Sequence, residues 1–297
     1  MEQVLSVGRE WSQRALFTLR EMMPLMGPVA TFPGFDDEQR YTLGLLLTAV
    51  ARSSESVILL TAYGQLWDAE MVLRSVVEGT LKFAFLLESP AEFANRHTEF
   101  ADSLFDLALL KDHQKAKDFL DAASDPDAPA WRPIRDRVLD DAEFQRIRGR
   151  FDKAQQRALE GRWGFTTLLN GLSKRRGAAF KELSGLAWSY SLMSHLQHAD
   201  SIGVRLPMDR ETRSDHRRDS IHLAHHARLL NDALIAQLNR LTVGYMFIGA
   251  DLGPIAAALE KVDGVRESFG GAYERWMEIE YAAQPAPRPA EGTEDSK

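Results

Sequence analysis

The chain has 297 residues, of which 44% are hydrophobic and 27% are charged, the balance of an ordinary soluble globular protein. Its formal net charge of −7 excludes the surface-wide basic field of a general DNA-binding protein, although a local RNA site remains open. The absence of cysteine excludes disulfides, thiolate catalysis and cysteine-ligated zinc.

The N-terminal residues mix charged and apolar side chains, with Glu2, Arg9 and Glu10 among them, which is not the pattern of a signal peptide. The longest apolar runs, such as residues 43–50, are shorter than the roughly 20 residues that a membrane-spanning helix needs. We therefore expect a cytoplasmic protein with no membrane partner.

Helical periodicity dominates the sequence, and no strand pattern of comparable strength interrupts it. The predicted fold class is all-α, a multi-helix bundle in which two long helices, 36–65 and 67–89, pack as an antiparallel pair. The remaining predicted helices cover residues 4–23, 91–122, 141–160, 181–198, 215–243 and 254–281.

A turn-rich break at residues 124–130 (SDPDAPA) divides the predicted bundle into two parts. Residues 1–122 are expected to form an N-terminal helical part, and residues 123–283 a C-terminal helical part that packs on it. Residues 284–297 combine Pro, Ala, Glu, Gly and Ser, a composition that predicts a disordered C-terminal tail.

Arg74 and Glu78 are charged residues on a helix that is apolar on most of its surface. The polar strip of this helix is narrow and consists mainly of Asp68, Ser75 and Lys82, with Glu70 near the helix start. Because burial of a charge costs several kcal/mol unless it is well paired, Arg74 and Glu78 are either a structural tie or part of a site. Their helical stripe also contains Trp67, Met71, Leu81 and Phe85.

Glu55 lies on the preceding predicted helix, on a stripe with small residues such as Ala51 and Ala62. Small neighbours allow a second helix to approach closely, so Glu55 could face the helix that carries Arg74. The alternative is an exposed glutamate on the flank of its helix.

Ser194 and His198 are four residues apart and share one face of a predicted helix. A histidine at a helix end can titrate near neutral pH and serve as an acid or a base. The alternative is a structural histidine that bonds to a buried carboxylate or carbonyl group. His195 points to a different side of the same helix.

Three separated motifs carry a resemblance to a known family: E-x-x-x-L-L from Glu55, A-x-x-x-x-R-x-x-x-E from Ala69, and Y-x-x-x-S-x-x-x-H from Tyr190. They resemble an uncharacterised prokaryotic helical family that is known only as a domain of unknown function, over roughly residues 40–200. That resemblance implies a helical bundle.

More distantly, the segment is similar to the higher-eukaryote and prokaryote nucleotide-binding (HEPN) superfamily. This implies RNases of toxin and phage-defence systems, which use an arginine four to six residues before a histidine. The chain departs from that motif, because Met193 lies five residues before His198 and Tyr190 five before His195. Matching spacings occur later, in Arg217 with His222, Arg210 with His216, and Arg218 with His225. The leucine stripe of the predicted helix 215–243 leaves His222 and His225 off its centre, so we expect them on a solvated or flanking face.

Metal binding is a further reading of the histidine-rich segment, since His222 with His225 or His226 could bind one ion on a helix face. The chain has no His-Glu-x-x-His motif, and Arg74 would offset the charge of a Glu55, Glu78 and His198 set. We expect neither a metal nor a cofactor. The sequence also has no phosphate loop of the Gly-x-x-x-x-Gly-Lys type and no Gly-x-Ser-x-Gly elbow.

Two functional hypotheses follow. In the first, the protein is an RNase-like or nucleotide-directed effector in stress or phage defence, with RNA or a nucleotide as partner. His198 would be the general acid or base and Arg74 would stabilise phosphate charge, with Glu78, Glu55 and Ser194 completing the site. In the second, it is a non-catalytic helical interaction or regulatory module, which could be a homodimer.

Overall fold

The structure is a computed structural model that describes residues 2–174 and 186–281, apart from the side chains of residues 186–188. All regular elements within these residues are helical, and none is a strand. The all-α prediction is confirmed. The predicted disordered tail, 284–297, and the first part of the predicted helix 181–198 lie outside the described residues.

The helices follow the chain with short connections. They are α1 (Glu2–Met22), α2 (Gly27–Ala30), α3 (Asp37–Ala62), α4 (Leu66–Leu87), α5 (Phe93–Thr98), α6 (Leu104–Ala122), α7 (Arg132–Arg135), α8 (Asp141–Arg148), α9 (Lys153–Arg162), α10 (Phe165–Ser173), α11 (Leu186–His198), α12 (Arg205–Glu211), α13 (Asp215–Ile248), α14 (Gly253–Ser268) and α15 (Ala272–Tyr281). A π-helical turn, Glu99–Ser103, joins α5 to α6.

Helices α3 and α4 form the predicted antiparallel pair. A capping box starts α3, in which Asp36 accepts from the Gln39 amide and the Gln39 side chain accepts from the Asp36 amide. The chain reverses through Gly64, whose φ of 73° is readily available to glycine. Val50 and Gly79, which lie almost equally far from this connection, meet at the crossing: a Cβ on Gly79 would lie against Val50. The glycine therefore lets the two helices approach closely.

Helix α13 is the centre of the bundle. Its 34 residues extend over about 51 Å, and it packs against α1, α3, α4, α14 and α15. Buried leucines along it, including Leu230, Leu234 and Leu241, join one continuous apolar core. It ends at Gly249, whose left-handed conformation (φ 67°) closes the last turn. Helices α10 and α11 pack on α4, beside the face that α13 covers.

Helix α3 has the length and mean hydropathy of a membrane-spanning segment, a property that core helices of soluble proteins share. The separate apolar runs of the sequence are shorter, because Arg52 and Glu55 interrupt them within this helix. In the structure α3 packs against α1, α4 and α13. The division at residues 122 and 123 stays a prediction.

Candidate functional site

Three charged residues of α4 lie along one side of the helix, each about one turn from the next. Glu70, Arg74 and Glu78 follow at intervals of four residues. Helices α11 and α13 pack against this helix and supply the partners of these charges. Two adjacent polar clusters result, one around Arg74 and one around Glu70.

The Arg74 cluster consists of Arg74, Glu78 and Tyr190. Arg74 donates from Nε to Glu78 Oε1 (3.1 Å) and from Nη2 to the Tyr190 hydroxyl (2.7 Å). The hydroxyl in turn donates to Glu78 Oε1 at 2.7 Å. The Tyr190 ring stacks on Phe165, with centroids 3.4 Å apart and an interplanar angle of 5°. The cluster is thus a closed triangle fixed by an aromatic stack.

Arg74 and Glu78 are half-buried at the edge of the bundle rather than sealed in its interior: their side chains are 17% and 31% exposed. Burial, followed by the hydrogen bond to Glu78, raises the pKa of Tyr190. The hydroxyl therefore keeps its proton at neutral pH and serves the cluster as a donor to Glu78.

The other predicted site residues lie elsewhere. Glu55 forms an ion pair with Arg20 of α1. It therefore pairs with α1 and not with α4, the helix that carries Arg74. Ser194 is half-buried and His198 is exposed at the end of α11. The side-chain contacts of Arg74 within the described chain are with Glu78 and Tyr190, and neither Glu55 nor His198 takes part.

His195 forms a dyad with Asp200 immediately after α11. Its Nδ1 lies 2.6 Å from Asp200 Oδ2, while the other carboxylate oxygen accepts from the amides of Ile202 and Gly203. The Gly203 amide and the His195 side chain lower the pKa of Asp200 to about 2. The helix end that presents this dyad is strained, because Ala199 has a φ of 46°.

The Glu70 cluster consists of Glu70, Arg210, His225 and Arg228. Glu70 is completely buried, contrary to its predicted place in the polar strip of α4. Its Oε1 contacts both His225 Nε2 (2.7 Å) and the Arg228 guanidinium. Arg210 donates from Nη1 to His225 Nδ1 at 2.7 Å, and its guanidinium lies 4.2 Å from the Trp67 ring centroid.

These contacts define the protonation of His225. A guanidinium can only donate, so Nδ1 must accept and the single ring proton is on Nε2, facing Glu70. Burial, followed by the charge of Arg210, lowers the pKa of His225 well below its ordinary value. Burial also lowers the pKa of Arg210 to about 10, which leaves it charged at neutral pH. His225 is therefore neutral, with both ring nitrogens engaged.

The prediction that His222 and His225 lie on a solvated or flanking face of α13 was wrong for His225. His225 and His226 are buried, and His222 is half-buried. Helices pack around α13 on several sides, so the flank of its leucine stripe is covered as well. His226 donates from Nδ1 to the carbonyl of His222. No group of three or more metal-ligating side chains comes together in the described residues.

A pocket of about 360 Å³ opens beside the Glu70 cluster, between α4, α11, α12, α13 and α15. Three residues of its lining hold a buried polar atom with no hydrogen-bond partner within the described residues: Glu70 Oε2 is an acceptor, and Trp276 Nε1 and Arg213 Nη1 are donors. Of the three, Arg213 Nη1 lies at ion-pair distance from Glu280. The lining is formed by Trp67, Glu70, Ser189, Leu192, Leu206, Asp209, Arg210, Arg213, Ile221, Ala224, His225, Arg228, Tyr273 and Trp276.

Aromatic and guanidinium groups dominate the character of this pocket. Trp67, Tyr273 and Trp276 offer apolar planes, and three arginines contribute positive charge. Buried polar groups in proteins nearly always have partners, so a free acceptor and a free donor in one concave site are unusual. Aromatic side chains line the same site, so a small planar molecule in contact with both atoms would bind by complementary hydrogen bonds.

A sequence model of a family of unknown function (DUF5677) matches residues 40–215, more than half of the chain, and the chain therefore belongs to this family. The matched range contains the Arg74 cluster and two members of the Glu70 cluster, Glu70 and Arg210. His225 and Arg228 lie beyond it. No curated protein and no solved structure matches the chain.

Proposed function

We propose that this protein is a nucleotide-directed binding module of the cytoplasm, and that the pocket beside Glu70 is its ligand site. The observation that carries the proposal is that two residues lining the pocket hold a buried polar atom with no partner in the described chain, Glu70 Oε2 and Trp276 Nε1. A ligand that supplies a donor to the first and an acceptor to the second removes two desolvation penalties of about 1–3 kcal/mol each.

A nucleobase has the chemistry that these groups require. It is planar, it carries ring nitrogens that accept from an indole N–H, and it carries an amino group that donates to a carboxylate. Trp67, Tyr273 and Trp276 provide surfaces for stacking, which contributes about 1–3 kcal/mol per base in other proteins. The pocket volume of about 360 Å³ is within the range of small-molecule sites.

Binding is better supported than catalysis in this pocket. The ring nitrogens of His225 are occupied by Arg210 and Glu70, so this residue has no free lone pair for proton transfer. One oxygen of the Glu70 carboxylate accepts from both the His225 N–H and the Arg228 guanidinium. These contacts favour the charged carboxylate and a role as hydrogen-bond acceptor.

The test is a calorimetric titration with adenosine and with AMP, in the wild type and in two tryptophan variants. We expect Trp276→Phe to weaken binding at least about tenfold, because it removes only the indole donor and keeps an aromatic side chain. Trp131→Phe is the matched control, since Trp131 packs on Phe119 outside the pocket, and it should leave binding unchanged. Absence of binding by either probe up to about 1 mM contradicts the proposal.

RNA cleavage without a metal is a second candidate, and the His195–Asp200 dyad favours it. Because the Asp200 carboxylate bonds to Nδ1 of His195, the Nε2 atom of His195 is left to act as a base. The exposed His198 is at the same end of α11. This candidate agrees with the more distant resemblance and with a role in phage defence. Cleavage of a fluorogenic RNA in EDTA should be lost in Asp200→Asn and His195→Ala, whereas no cleavage by the wild type argues against it.

A further inference from the structure

Glu280 of α15 lies between two arginines beside the proposed ligand pocket. Its Oε1 is 2.9 Å from Arg213 Nη1 and 2.6 Å from Arg217 Nη2, and its Oε2 is 3.2 Å from Arg217 Nε. The Glu280 side chain is only 11% exposed, although it is near the end of its helix. Arg213 lines the pocket itself. Two guanidinium groups converge here on one anion, the Glu280 carboxylate. Proteins use the same arrangement of guanidinium groups to bind phosphate.

Helix α15 is built as a closing element over this pocket. Tyr273, Trp276 and Glu280 are spaced as one helical face, and the first two of them line the pocket. The helix follows Gly270 and Gly271, whose φ values of 56° and 70° suit glycine best. Adjacent glycines of this kind are suited to a hinge. The same helix thus contributes both a pocket wall and the carboxylate beside it.

We propose that Arg213 and Arg217 are the anion subsite of the pocket, and that Glu280 occupies it as an internal competitor which the phosphate of a nucleotide displaces. The inference rests on the proposed nucleotide site and adds the position of the phosphate. Loss of Glu280 from the subsite leaves Arg213 with Asp209, at 2.9 Å, as its carboxylate partner. Arg217 has no second ion pair within the described part of the chain and is free to bind the incoming charge.

The charges of Glu280 and of a phosphate group support this assignment. Hydrogen bonding to Arg217 lowers the pKa of Glu280, so the internal competitor is fully charged at neutral pH. A phosphate monoester brings more negative charge and more acceptor oxygens to the same two guanidinium groups. Displacement by phosphate is therefore favourable, whereas a neutral nucleoside gains nothing from it.

The experiment compares AMP with adenosine, which differ only in the phosphate, on the full chain. Glu280→Gln should tighten AMP binding by about fivefold or more and leave adenosine binding unchanged, because only the phosphate competes with Glu280. Arg217→Gln should weaken AMP binding and spare adenosine. Glu278→Gln is the matched control: it removes the same charge from an exposed position of the same helix.

Equal AMP affinity in the wild type and Glu280→Gln, with adenosine still bound, overturns the anion subsite and leaves the nucleotide site intact. Equal tightening of both probes also overturns it, since Glu280 would then act only by holding α15 in place. Failure of both probes to bind any variant contradicts the nucleotide site instead. A 5′-phosphorylated RNA tetramer that competes with AMP at similar affinity would assign the same subsite to an RNA end.

Discussion

Gly8 of α1 and His226 of α13 are in direct contact, and the contact depends on the missing side chain of the glycine. A Cβ on residue 8 would lie 2.5 Å from two atoms of the imidazole ring. The ring is buried and is held by its hydrogen bond to the His222 carbonyl, so it has little room to move. The packing of α1 on α13 therefore requires glycine at this position.

Gly8→Ala should destabilise the fold by about 1–3 kcal/mol, because it forces an extra methyl group against a fixed ring. Gly44→Ala is the matched control. It also replaces a glycine inside a helix, but no atom lies within 4 Å of the new Cβ. That change should raise stability by about 0.5–1 kcal/mol through helix propensity. Opposite signs in urea unfolding are expected, and a stabilising Gly8→Ala contradicts the described contact.

Stability should fall as the pH drops from about 6.5 towards 4. Burial, the largest cause, lowers the pKa of His222 and of His226 to about 4, and that of His225 well below its ordinary value. Between 6.5 and 4 the unfolded chain binds protons that the folded chain excludes, so the stability present above pH 6.5 is progressively lost. The loss should be on the order of 1–3 kcal/mol per buried histidine.

The measurement for this prediction is the free energy of unfolding at pH 7.5 and at pH 5. His226→Phe should reduce the difference between the two values, whatever its effect on stability at either pH. His216→Phe should leave the difference unchanged, because His216 is exposed. If His226→Phe shows the same pH dependence of stability as the wild type, His226 does not contribute to the acid sensitivity.

The two glutamates of α4 should differ in their importance for stability. Glu70→Ala should cost about 3–5 kcal/mol, because it leaves the buried His225 N–H without its acceptor and leaves Arg228 with Asp232 as its remaining carboxylate partner. Glu78→Ala should cost only about 1–2 kcal/mol, since the Glu78 side chain is 31% exposed and water can replace it. Denaturant titrations that rank Glu78→Ala as the more damaging change would contradict the assignment of the two clusters.

Replacement of the buried Arg240 by an apolar residue should stabilise the fold. This guanidinium is completely buried, bonds to Thr80 and Gln237, and has no carboxylate partner in the described chain. Burial lowers its pKa to about 9. Arg240→Met keeps the length of the side chain and removes the desolvated charge, so stability should rise by about 1–3 kcal/mol.

Arg96→Met is the comparison for this prediction. Arg96 is also buried, but it donates to Glu88 at 2.7 Å and to the Phe85 carbonyl at 2.5 Å. Its removal should lower stability by about 1–3 kcal/mol, because the fold loses both hydrogen bonds of the guanidinium. Thermal unfolding of both variants decides the matter: a fall in melting temperature for Arg240→Met would show that its neutral partners compensate its charge.

The helices of the fold were predictable because their periodicity is local. The predicted pair 36–65 and 67–89 corresponds to Asp37–Ala62 and Leu66–Leu87, and differs only by terminal residues. The sequence also indicated that Arg74 and Glu78 belong to one polar cluster, because two charges on an apolar helix require partners. Tyr190 was present in the third motif, but its neutral side chain gave no electrostatic signal.

Glu70 and His225 could not be assigned from periodicity. A helical wheel gives the angle of a side chain on its own helix, but it does not tell which other helices cover that angle. Glu70 is buried by residues more than 130 positions later in the chain, Arg210 and His225 among them. The pairing of Glu55 with Arg20 was missed for the same reason, because the side of α3 on which α1 packs is not encoded in α3 alone.

The position of α13 has a consequence for synthesis on the ribosome. Helix α1 is made first, yet it packs against α13 and α14, which are completed more than 200 residues later. Domains generally fold during synthesis once their parts have emerged. Here the apolar face of α1 has to remain uncovered, or covered only by α3, until α13 and α14 have left the exit tunnel. A nascent chain of this protein is therefore a natural client for chaperones that shield apolar helices.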